Sequence, residues 1–154
     1  MNRSNQQTPT RPAKELQAGH APNTLCRMAT QGNTERRVLV VDDEPSVADS
    51  ISQILALDNY KVEVANSAQE ALNAFKKDRF DLIIVDYKMP EMKGDKLAAT
   101  IKSLAPQQPI LMITAYGEAL RFAGNFPLGV DLIVNKPFAL EELRDAVRRL
   151  ANRT

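Results

Sequence analysis

The sequence predicts an α/β fold: one parallel β-sheet with helices on both faces. Three observations point there. Continuous apolar runs recur at 38–41, 82–85 and 110–113, with a shorter one at 132–134, and such runs suit strands buried on both sides. Amphipathic stretches separate them, so strand and helix alternate about five times along the chain. A polar side chain follows almost every run, which places those side chains together at the carboxyl edge of the sheet.

The chain has 154 residues, enough for one domain with a full core. Its apolar content of 44% and charged content of 25% are ordinary for a globular protein. A formal net charge of +1 points to neither direct nucleic-acid binding nor membrane binding. The single cysteine, Cys26, allows no internal disulfide and fits a reducing compartment. No leader-like segment opens the chain, and no apolar run reaches the ~18 residues of a membrane span. A cytoplasmic location is therefore expected.

Residues 1–34 are rich in Gln, Thr, Asn, Pro and Ala without any sustained period, and are expected to form a disordered polar tail. Residues 35–154 are expected to form the folded domain. There "RRVLVVDDEP" supplies the first strand, ending in Asp42 and Asp43. A helix over 45–58 follows, with Pro45 in its first turn, where the missing N–H costs little. "KVEVA" (61–65) alternates, as a strand near a sheet edge would. "SAQEALNAFKK" (67–77) opens with Ser67 and carries Glu70 three residues on, a capping box.

"FDLIIVD" (80–86) is a second fully buried strand, ending on Asp86. The helix over 94–104 has Leu97, Ile101 and Leu104 on one stripe. "PILMITA" (109–115) brings Thr114 to the edge, and "DLIVNKP" (131–137) brings Lys136 followed by Pro137. A last helix over 140–149 has Leu140, Leu143, Val147 and Leu150 on one side. The fourth helix is expected to be short or malleable, because three of the six glycines (Gly117, Gly124, Gly129) and Pro127 fall within 117–129. Leu120, Phe122, Phe126 and Leu128 in this region are expected mostly as core or loop anchors.

An unpaired buried carboxylate is costly, so the acids that end the strands need a rim and a partner. Three carboxylates in one cleft repel by roughly 3 kcal/mol per pair at ~5 Å and an effective dielectric of ~20. Lys136 offsets part of this, and the remainder asks for a hard divalent cation with oxygen ligands, which describes magnesium. Asp43 and Asp86 are the expected direct ligands, with Asp42 acting through water and a backbone carbonyl, that of Lys88, as a further ligand. A cation beside a carboxylate, a lysine and a hydroxyl suits phosphoryl transfer, in which the carboxylate itself can be the nucleophile. Asp86, central in the set, is the expected phosphoacceptor, with Lys136 and Thr114 binding phosphoryl oxygens. Any one of these residues alone would be an ordinary turn or cap; the ordered set is what carries the chemistry.

The stretches "LVVDDEP", "DLIIVDYKMPEMKG", "ITA" and "KPF" resemble the receiver domain of bacterial two-component response regulators over about residues 36–150. The resemblance implies a flavodoxin-like (βα)5 fold with strand order 2-1-3-4-5. It implies a histidine kinase or histidine phosphotransfer domain as donor to Asp86, a magnesium requirement, Asp42 and Asp43 as the acid pair, Thr114 as the switch hydroxyl, and a cis Lys136–Pro137 bond. It also assigns Lys88 and Tyr116 to positions that tune loss of the phosphoryl group. One departure is clear: where the family commonly has Tyr or Phe three residues before the lysine, this chain has Ile133.

One helix uses up the residues after Phe138, so a stand-alone receiver is expected, signalling through contacts with an unknown protein target. Its own chemistry would be assistance to its phosphorylation and dephosphorylation rather than turnover of a substrate. A phosphorelay intermediate and a receiver fragment of a hybrid kinase are the alternatives. A magnesium-dependent phosphatase of small esters fits poorly, because Lys88 stands where such an enzyme needs a general acid.

Overall fold

The computed structural model describes residues 35–153. The tail expected over 1–34 lies outside the described residues. The elements are β1 (Arg37–Val41), α1 (Pro45–Leu57), β2 (Lys61–Ala65), α2 (Ala68–Lys77), β3 (Leu82–Asp86), α3 (Gly94–Leu104), β4 (Ile110–Thr114), α4 (Gly117–Phe122), β5 (Leu132–Asn135) and α5 (Leu140–Ala151). The five strands form one parallel sheet in the order β2-β1-β3-β4-β5. The chain leaves β1 toward β2 on one side and then crosses to β3 on the other. The carboxyl ends of β1 and β3 therefore flank a switch point, where a cleft opens.

Period-two alternation sorts the strand residues into two cores. Leu39, Val41, Ile83, Val85, Ile110, Met112 and Ile133 pack with Ala71 of α2 and Leu97, Ala98 and Ile101 of α3. Val38, Val40, Leu82, Ile84, Leu111, Ile113 and Val134 pack with Ile51 and Leu55 of α1 and Leu143, Val147 and Leu150 of α5. Each such side chain contributes about 1.5–3 kcal/mol on burial, which explains why the runs must be apolar on both faces.

β3 and β5 start later than the stretches 80–86 and 131–137 suggest, at Leu82 and Leu132, because the acid preceding each is used for something else. Asp81 accepts the Arg37 main-chain N–H of β1 at 2.7 Å, and Asp131 accepts the Ile110 N–H of β4 at 2.9 Å. Both carboxylates satisfy N–H groups at the amino edge of the sheet. Ser67 caps α2 as expected: its hydroxyl accepts from Glu70 N at 3.1 Å, and the Glu70 carboxylate accepts from Asn66 N at 2.8 Å.

Helix α4 is indeed short, spanning six residues. Gly124 follows at φ +65°, a left-handed conformation that stops the helix. Here one expectation fails. Phe122 is 91% exposed and Leu128 85% exposed, so neither anchors the loop. One and a half turns are too few to lay a continuous apolar face on the sheet, and the left-handed glycine turns the chain away. Leu104 and Leu140 also leave their expected stripes and are exposed, Leu104 as the last residue of α3 and Leu140 as the first of α5.

Candidate functional site

β1 and β3 lie side by side, with Val41 opposite Val85. Asp42, directly after β1, and Asp86, the last residue of β3, therefore emerge next to each other. They are almost fully enclosed, at 2% and 7% exposure. Asp43 is half-buried beside them, and one carboxylate oxygen from each of the three lies within 4.8 Å of the others. The Asp42 carboxylate also accepts the Glu44 N–H at 2.9 Å, which fixes the acid loop in front of α1.

Lys136 reaches this cluster from beyond β5. Its Nζ donates to Asp86 Oδ1 at 2.8 Å and to Asp42 Oδ2 at 3.2 Å. Its main-chain N–H donates to the Thr114 carbonyl at 2.8 Å, so the last residue of β4 holds the lysine loop in place. The Lys136–Pro137 bond is cis. Asp43 has no cationic partner among the described residues. One ammonium facing three carboxylates leaves excess negative charge, and an all-carboxylate donor set at this spacing suits a hard divalent cation.

The electrostatics reflect this crowding. Burial pushes the Asp86 carboxyl above its ordinary range; the Lys136 hydrogen bond and charge oppose the rise, the Asp42 charge adds to it, and the Lys88 main-chain amide opposes it. Burial pulls the Lys136 ammonium down, but its hydrogen bond to Asp86 and the charges of Asp86 and Asp42 outweigh that, leaving it raised.

Thr114 is buried at the end of β4, and its Oγ1 accepts the Tyr116 N–H at 3.0 Å. Lys88 is exposed in the loop after β3. The Tyr116 ring is half-exposed and meets the Tyr87 ring edge-on, with centroids 6.5 Å apart. Ile133 is buried in the core beside α3 and points away from solvent. Asp42, Asp86 and Lys136 thus form one hydrogen-bonded network with Asp43 within 4.8 Å of the two carboxylates, and Thr114 adjoins it through the main chain.

Gly94 is a site residue that sequence reasoning passed over. A Cβ there would run into the Asp86 main-chain carbonyl and sit 3.1 Å from the Tyr87 Cα. The Gly94 N–H donates to the Tyr87 carbonyl at 2.9 Å. Only glycine lets α3 start this close to the residue that carries the central carboxylate. It stands in the motif "DYKMPEMKG", where its spacing from Asp86 was the available signal. Asn135 was also missed. Its Oδ1 is buried without a hydrogen-bond partner and fills the space that a Cβ on Gly117 would occupy.

A 2-1-3-4-5 parallel sheet that gathers an acid pair, a lone acid, a buried threonine and a lysine at its carboxyl rim is the architecture of a response-regulator receiver. The chain belongs to that family: the response regulator receiver domain model matches residues 38–148. Among curated relatives, the response regulator MprA of Mycobacterium leprae is 36% identical over 118 residues, covering 77% of this chain and 52% of its own. The chain thus spans about half the length of the curated relatives it matches. The response regulator protein TrrA from Thermotoga maritima, solved in complex with Mg(2+)-BeF, is 32% identical with a TM-score of 0.69, covering 75% of this chain and 98% of its own. The chemotaxis response regulator CheY4 of Vibrio cholerae is 33% identical with a TM-score of 0.67, covering 76% and 99%. Among the described residues, no helix is long and apolar enough to cross a membrane.

Proposed function

We propose that Asp86 accepts a phosphoryl group from the phosphohistidine of a histidine kinase or histidine phosphotransfer domain, and that the modified domain signals by altered contacts with a protein target. The observation that carries this is the position of Asp86: its carboxylate lies 2.8 Å from the Lys136 ammonium and within 4.8 Å of Asp42 and Asp43. Asp42, Asp43, Asp86 and the Lys88 carbonyl would hold magnesium. When bound, the metal supplies charge neutralisation for the phosphoryl oxygens.

An Asp86 carboxylate oxygen attacks phosphorus in line with the bond to the donor imidazole. That P–N bond breaks, and its electron pair stays on nitrogen. Lys136 transfers a hydrogen bond from the free carboxylate to a phosphoryl oxygen. Thr114, whose hydroxyl now accepts from Tyr116 N, donates its own proton to another phosphoryl oxygen. Water later attacks phosphorus, returning the carboxylate and inorganic phosphate. The domain in this reading is a phosphorylation target that assists both steps, rather than an enzyme with turnover on a separate substrate.

The test is incubation of the full chain with acetyl phosphate and magnesium, read by intact mass. One phosphoryl group is expected on the wild type, and none on Asp86→Asn or in chelator. Equal labelling of Asp86→Asn would refute the assignment.

A further inference from the structure

A second recess lies beside the acid cluster. It has a volume of about 360 Å3 and is lined by Tyr87, Lys88 and Lys93 on one side and by Tyr116, Ala119 and Leu120 on the other. The two tyrosine rings meet edge-on, and the Lys93 ammonium lies 5.8 Å from the Tyr87 ring centroid. Lys88 and Lys93 are exposed, and among the described residues neither ammonium has an acidic partner. Lys102 and Lys136, in contrast, are both paired with acids. The recess therefore joins an aromatic and aliphatic floor to a rim of uncompensated positive charge. Phe122, exposed at the end of α4, lines a separate recess with Glu118 and Arg121.

We propose that this cleft docks an acidic peptide segment of a partner protein. The segment would insert a large apolar side chain against Tyr87, Tyr116 and Leu120 and set carboxylates against Lys88 and Lys93. Aromatic walls around a desolvated anchor supply most of the affinity in such sites, and the charged rim selects the partner. The cleft is also wired to the site. The Tyr116 N–H donates to Thr114 Oγ1, and the Tyr87 carbonyl accepts from Gly94 beside Asp86. Recruitment of the Thr114 hydroxyl by a phosphoryl group would alter the bond that holds the Tyr116 wall, so docking would differ between the two states. This last step rests on the role proposed for Asp86; docking itself does not.

The experiment uses the full 15N-labelled chain and the peptide acetyl-Asp-Glu-Leu-Phe-Asp-Glu-amide, without and with magnesium and beryllofluoride. One control peptide has Lys for every acid, and the other has Ser for Leu and Phe. The acidic apolar peptide is expected to shift the amides of Tyr87, Lys88, Lys93, Ala119 and Leu120, and to bind with unequal affinity in the two states. Both control peptides, and the acidic peptide on Lys93→Glu, are expected to bind at least about tenfold more weakly. Lys93→Glu is expected to accept phosphoryl from acetyl phosphate as the wild type does. No binding at millimolar peptide, equal binding of either control, or shifts on another surface would overturn the docking site. Equal affinity in the two states would overturn its coupling to phosphorylation. Peptide binding without any phosphoryl acceptance by the wild type would strike the Asp86 assignment and leave the cleft standing.

Discussion

Lys136 and Asp86, 50 positions apart in sequence, meet at 2.8 Å at the rim of the sheet. The same ammonium holds Asp42 at 3.2 Å. Two nearly enclosed carboxylates thus depend on one cation, and removing it strands both. Lys136→Met, measured in chelator by urea melts, is expected to lose about 2 kcal/mol, below the range for deep pairs because the lysine is partly solvated.

The pH dependence of that loss has a definite sign. The Lys136 pKa is raised above its ordinary 10.5 in the fold. Its contribution to stability is therefore complete below 10.5 and is lost as pH rises through the higher folded value. The deficit of Lys136→Met against wild type should be full at neutral pH and narrow above 10.5. A deficit that widens there would mean that the pair does not stabilise the fold.

Asp43 shares the acid cluster without a cationic partner among the described residues. Neutralising it removes repulsion without stranding any donor. Asp43→Asn should gain about 1 kcal/mol of stability in chelator, a rise in Tm of several degrees, while losing phosphoryl acceptance. A marked fall in Tm in chelator would show that the three carboxylates are not a strained set.

Gly94 lies against the backbone of Asp86 and Tyr87. Unlike a crowded side chain, that backbone has no rotamer to retreat into. Gly94→Ala should cost about 1–3 kcal/mol and slow self-phosphorylation from acetyl phosphate, by moving the Asp86 carboxylate. Wild-type stability and rate in the variant would contradict the close approach.

The Tyr116 ring is half-exposed two residues beyond Thr114, and we propose that it shields a phosphoryl group on Asp86 from water. Tyr116→Ala should lose phosphate faster than the wild type, by several-fold, in a single-turnover decay followed by intact mass. An unchanged or slower decay would remove the shielding role.

Most of the sheet was legible in the sequence because burial on both faces leaves unbroken apolar runs, and the acid–lysine cluster was legible because every such run is followed by a polar residue in a fixed order, the short alternating β2 excepted. What escaped depends on neighbours that periodicity does not name. Gly94 matters only because α3 starts against the Asp86 carbonyl. Asp81 and Asp131 read as strand residues until the register assigns them the N–H groups of neighbouring strands. Phe122 and Leu128 read as anchors because they are apolar, yet the short α4 and the left-handed Gly124 leave them in solvent. Lys93 gives no signal alone; its meaning comes from two tyrosines brought together by separate loops.

Borohydride reduction of the acetyl phosphate-treated chain, followed by peptide sequencing in the mass spectrometer, locates the acyl phosphate itself. Homoserine at position 86, present with magnesium and absent in chelator, is the expected product. Homoserine at position 42 or 43, or none in folded protein, would contradict the assignment of the central carboxylate.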